Sequence, residues 1–107
     1  MFIKNDDIRL TDLGGGVSRK VLAYDEDIMS VEVRFKKGAV GAVHTHPHTQ
    51  ISYVLEGKFE AMIDGKTEII SKGDTYITPK NAPHGVVCLE DGALLDIFTP
   101  MRKDFIK

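Results

Sequence analysis

Along most of the chain apolar and polar residues alternate, the period of a strand with one buried face. In "SVEVRF", Val31, Val33 and Phe35 share one face and Glu32 and Arg34 the other. Similar runs follow at "ISYVLEG", "KFEAMID", "KTEIISKG", "TYITP", "HGVVCLE" and "ALLDIFTP", separated by the Gly-bearing turns "EGK", "DGK", "KGD" and "EDG". "DLGGGV" reads as a flexible turn or the approach to an edge strand. No amphipathic helix, low-complexity tract or repeat of fixed period interrupts the series. Short antiparallel strands must hide their edges, so the pattern predicts an all-β fold closed into a small barrel or jelly roll. A homodimer, with a first strand exchanged between copies, is an expectation from that fold class.

Composition narrows the function more than the fold. At 107 residues the chain suits one domain, 1–107, and a chain of this size buries about 65% of the surface its unfolded form exposes. Fourteen Lys and Arg against sixteen Asp and Glu give a net charge of -2, with no basic stripe, which argues against a nucleic-acid partner. No apolar stretch is long enough to span a bilayer, and no secretory h-region opens the chain, so no membrane partner is expected. The single cysteine, Cys88, makes no internal disulfide; a reducing, cytoplasmic setting is expected. In "GVVCLE" it reads as a small core hydrophobe, and Met29, Met62 and Tyr53 read as barrel filling.

The candidate chemistry lies in "HTHPHTQ", residues 44–50. Residues two apart on a strand point to the same side, so His44 and His46 offer two imidazoles to one face. Pro47 bends or ends the strand, and Gln50 can then return to the same cavity. His84, after "KNAP", starts a later strand and supplies a third imidazole. Three nitrogens and an amide oxygen suit one divalent ion such as Zn, Ni, Fe, Co or Mn, whereas calcium would want several carboxylates. Pro47 leaves the direction of His48 undetermined, and it reads as an imidazole outside the ligand set. In "LLDIFTP", Leu94, Asp96 and Phe98 share one face, with Leu95 and Ile97 on the other. A carboxylate on so apolar a strand needs a polar cavity, an Arg partner or a raised pKa.

The spacing of these residues resembles that of the cupins. Gly38, His44, His46, Gln50 and Gly57 follow the first cupin motif, and Gly73, Pro79 and His84 the second. The resemblance implies a single cupin-type double-stranded β-helix, a jelly-roll barrel, holding its metal through His44, His46, Gln50 and His84. Gln50 stands where a glutamate is usual, Asn81 where a glycine is usual, and Cys88 where an asparagine often sits. Glutamine leaves the site of a divalent ion near +2 rather than +1, which strengthens the Lewis acid.

A narrower resemblance, to single-domain cupins of pectin degradation, runs nearly end to end. It implies conversion of the 4,5-unsaturated monouronates left by pectate or alginate lyases into linear keto-uronates. It also implies roles for Asp96, Phe98 and Arg102, the last as a planar fork for the carboxylate of a small sugar acid. Thr49 occupies a position where a glutamate is expected. The alternatives are another metal cupin enzyme, an oxygenase or sugar isomerase, and a non-catalytic sugar-acid binder.

Overall fold

A computed structural model describes residues 1–106. The described residues form eight strands, the alternating runs accounting for five of them: β1 (Thr11–Gly14), β2 (Val17–Tyr24), β3 (Met29–Phe35), β4 (Val40–His44), β5 (Thr49–Ile63), β6 (Lys66–Ser71), β7 (Thr75–Thr78) and β8 (His84–Thr99), with β3 and β5 to β8 arising from those runs. All pairings are antiparallel, as expected of an all-β jelly roll. "DLGGGV" forms the β1–β2 hairpin at the sheet edge, and β2 is a strand that the alternation of the sequence had not marked.

Two of the predicted turns are absent. "EGK" lies inside β5 and "EDG" inside β8, so four predicted strands are two long ones, paired from Thr49 opposite Thr99 to Ile63 opposite His84. The glycines serve a crossing instead. A Cβ on Gly57 would stand 2.6 Å from the Asp91 carbonyl oxygen, and one on Gly92 would run into the Glu56 carbonyl. Two backbones this close leave no room for side chains, and the register slips between Val54 and Phe59 as the strands bend together. The bend lets each long strand serve two sheets. The C-terminal half of β8 pairs with β3 and its N-terminal half with β4, while β5 pairs first with β7 and then with β6.

One apolar cluster gathers around Phe59, which is fully buried and meets Phe35 edge to face at 5.2 Å. Burying such a ring stabilises the fold by about 2–3 kcal/mol. Cys88 belongs to this cluster, as expected of a core hydrophobe, and burial pushes its thiol pKa up. A second cluster, Met29, Val31 and Phe98, is covered by Met101, Phe105 and Ile106 of the C-terminal segment. That segment is folded back across the mouth of the barrel. Met29 fills the interior as expected, and Met62 is half-buried. Tyr53 does not fill it: its register opposite Leu95 turns it outward, where it is 44% exposed.

Candidate metal centre

Three histidines converge from two separate stretches of chain. His44 ends β4 and faces His84, the first residue of β8, as its direct cross-strand partner. The predicted two-imidazole strand is shorter than expected, because β4 stops at His44 and His46 lies in the irregular stretch before Pro47. The rings nevertheless come together, with centroids 5.4 Å apart for His44 and His46, 4.4 Å for His44 and His84, and 4.7 Å for His46 and His84. One ligand atom from each lies within 4.8 Å of the other two. Asn81, where a glycine is usual in the second motif, takes a positive φ of 63°, which Asn tolerates better than other non-glycine residues.

The remaining hydrogen bonds aim these groups. Nδ1 of His44 and Nδ1 of His84 each donate to a backbone carbonyl two residues upstream, Ala42 and Ala82, at 2.9 Å. This tautomer leaves each Nε2 with a lone pair for a ligand. Gln50 enters from the start of β5, where its Oε1 lies 3.0 Å from Nε2 of His46. Nδ1 of His46 is buried without a hydrogen-bond partner. Burial is the main reason the His46 pKa falls to about 4, opposed by the Gln50 hydrogen bond and reinforced by the positive charge of Arg102. Burial likewise lowers that of His84. Neutral imidazoles are the form that binds metal. Three imidazoles and an amide oxygen gathered in this way fit a late first-row divalent ion.

The register of β5 against β8 decides the other wall. Gln50 lies opposite Phe98 and Ser52 opposite Asp96, so all four side chains share the inner face. The Gln50 amide donates from Nε2 to Ser52 Oγ at 3.0 Å, and Ser52 donates to Asp96 Oδ1 at 2.7 Å. Glutamine thus does what glutamate cannot, turning an oxygen to the histidines and an N–H to the serine. Asp96 is buried, and its pKa rises to about 6; burial drives the rise, opposed by the hydrogen bonds of Ser52 and Gln50 and by the charge of Arg102. Of the three resolutions anticipated for this carboxylate, an Arg ion pair is not the one adopted.

Arg102 binds another acid. Its Nε and Nη2 grip Asp104 at 3.1 and 2.8 Å, and its guanidinium rests against Phe98 and Phe105, 5.2 and 4.3 Å from their centroids. His44, Gln50, His84, Asp96, Phe98 and Arg102 all line one cavity of about 280 Å3. His48 stays outside it: Nε2 bonds the Met101 carbonyl at 3.2 Å, tethering the C-terminal segment beside the His46 ring.

Ser52, Tyr76 and Arg19 were not singled out from the sequence. Ser52 had a signal, since it sits two residues after Gln50 and therefore on the same strand face. Tyr76 and Arg19 reach the cavity from β7 and β2, which no local pattern connects to the histidines. Burial, reinforced by Asp96, pushes the Tyr76 phenol to about 12, which keeps it protonated.

Known proteins place this architecture. A family model described as "Cupin domain" matches residues 31–98. The chain is 45% identical over 104 residues to the pectin degradation protein KdgF of Dickeya dadantii, covering 95% of this chain and 94% of that protein. The solved structure of KdgF from Halomonas sp. superposes with a TM-score of 0.94 at 39% identity, over 99% of this chain and 98% of that one. An RmlC-like cupin from Shewanella frigidimarina gives a TM-score of 0.95 at 40% identity, over 98% and 95% of the two chains. With the motif histidines gathered at one end of a jelly roll, the chain belongs to the cupin family.

Proposed function

We propose that the protein is a metal-dependent isomerase that opens 4,5-unsaturated monouronates, from pectin or alginate breakdown, into linear keto-deoxyuronates. The observation that carries this reading is Asp96: a buried carboxyl with its pKa raised to about 6, on the wall of the cavity lined by His44 and His84, two of the three converging imidazoles. Similarity to a pectin degradation protein supports the substrate class.

His44, His46, His84 and Gln50 would hold a divalent ion, which when bound would supply Lewis acidity. The substrate is a cyclic hemiacetal whose ring oxygen sits on the carbon-carbon double bond beside the carboxylate. Ionised Asp96 takes the proton of the anomeric hydroxyl as the bond from the anomeric carbon to the ring oxygen breaks, giving an aldehyde and an enolate. The same carboxyl returns the proton to the former alkene carbon, giving the ketone, so the net change is isomerisation. A pKa near 6 suits both halves of this exchange at neutral pH. Ser52 fixes Asp96 by one oxygen. Phe98 shapes the wall, and Arg102, which also lines the cavity, is held by Asp104 through Nε and Nη2, which leaves Nη1 for the substrate carboxylate.

The test follows the ultraviolet absorbance of the unsaturated uronate. Metal-loaded protein should accelerate its loss over the spontaneous rate, chelator should remove the acceleration, and Asp96→Ala should lower turnover by about 10²–10⁴-fold with metal content unchanged. Full turnover in Asp96→Ala would rule out its role.

A further inference from the structure

Arg19 stands in β2 opposite Val33 and lines the cavity beside Arg102. Both guanidinium groups lie against Phe105, Arg19 with its Cζ 3.9 Å from the ring centroid and Arg102 at 4.3 Å. Their hydrogen bonding differs. Asp104 occupies two nitrogens of Arg102, whereas Arg19 makes no hydrogen bond or ion pair among the described residues. Arg19 loses hydration to its surroundings and is repelled by Arg102, with Asp104 offsetting part of this; its pKa is lowered accordingly. Two guanidinium groups thus stand near a single carboxylate, Asp104, which bonds Arg102, while Asp96 on the cavity wall accepts from Ser52. The ring of Phe105 packs against the Arg19 head, which lines the cavity and has no hydrogen-bond partner among the described residues.

We infer that Arg19 is a second anion-binding residue of this site, the guanidinium the protein leaves free for the carboxylate of a uronate. The inference rests on the sugar-acid reading of the cavity and deepens it. A planar fork with unused donors takes a carboxylate through two parallel N–H bonds. Arg102 alone offers only the side that Asp104 leaves open. Selection for acids over neutral sugars therefore depends on Arg19 as well as Arg102.

The experiment uses calorimetry on metal-loaded protein with galacturonate and its neutral methyl ester, beside steady-state kinetics with the unsaturated monouronate. Arg19→Gln should weaken galacturonate binding about tenfold, towards that of the ester, and leave ester binding and melting temperature unchanged. KM should rise about tenfold with kcat within about threefold, and Arg19→Lys should recover part of the loss. Equal galacturonate affinity in the Gln variant and the parent overturns the proposal, as does an equal loss for the ester, which would mark a structural role. Galacturonate binding that depends on Arg19 in a protein that turns over no unsaturated uronate would sink the isomerase reading and leave the anion site standing.

Discussion

Asp96 should cost the ligand-free protein stability at neutral pH, and Asp96→Asn should recover it. Folding moves this carboxyl from an ordinary 3.8 to about 6. The folded state therefore holds the proton more tightly than the unfolded chain, so stability falls as pH rises from about 4 to about 6 and stays low above that. A shift of about two units is worth about 3 kcal/mol at pH 8, shrinking to about 1 kcal/mol at pH 4.5, where the unfolded chain is only partly ionised ahead of the folded one. Asparagine keeps an oxygen to accept the Ser52 hydrogen bond and carries no charge to bury. Urea unfolding followed by circular dichroism, in chelator, should show the variant about 3 kcal/mol more stable than the parent at pH 8 and about 1 kcal/mol at pH 4.5. Other titrating groups cancel in the difference. A divalent ion should shrink the gain, because its charge compensates the carboxylate. A gain that is the same at both pH values, or a loss at pH 8, would refute a carboxyl raised by burial.

Gln50→Glu should retain metal but move the acidic limb of the pH–rate profile to higher pH. Its carboxylate cannot donate to Ser52, and it adds a like charge beside Asp96. Ser52→Ala removes the hydrogen bond that holds the Asp96 pKa down, and should shift the same limb up by about one unit. His84→Ala should weaken divalent-ion binding by more than about 100-fold in competition with a chromophoric chelator. Gly92→Ala drives a Cβ into the Glu56 carbonyl and should cost about 3 kcal/mol or more in urea unfolding. Gly65→Ala, where a Cβ meets nothing and only the φ of 84° resists, should cost about 1–2 kcal/mol.

The all-β class, the metal-binding residue types and the odd placement of Asp96 were legible in the sequence because each is a local property. Period two marks a strand, imidazoles two apart mark a clamp, and a carboxylate among Leu94, Ile97 and Phe98 marks a group in need of a polar setting. The family motif carries His84 across the intervening residues, which spacing alone does not.

Tertiary structure decided which way the polar strand faces. In β5 the apolar Ile51 and Tyr53 are exposed while Gln50 and Ser52 are buried, the reverse of what alternation alone implies. Register against β8 is the physical reason: a slip of one residue would have turned Ser52 away from Asp96 and placed Tyr53 in the cavity. The same long-range pairing merges the predicted short strands through Gly57 and Gly92, and it brings Arg19 from β2 to a site whose ligands begin 25 residues later at His44. The sequence by itself determined which groups were available for chemistry. Which of them meet depended on cross-strand register and on the C-terminal segment folded over the mouth, because side chains distant in sequence touch only where the backbone hydrogen-bond ladder aligns them.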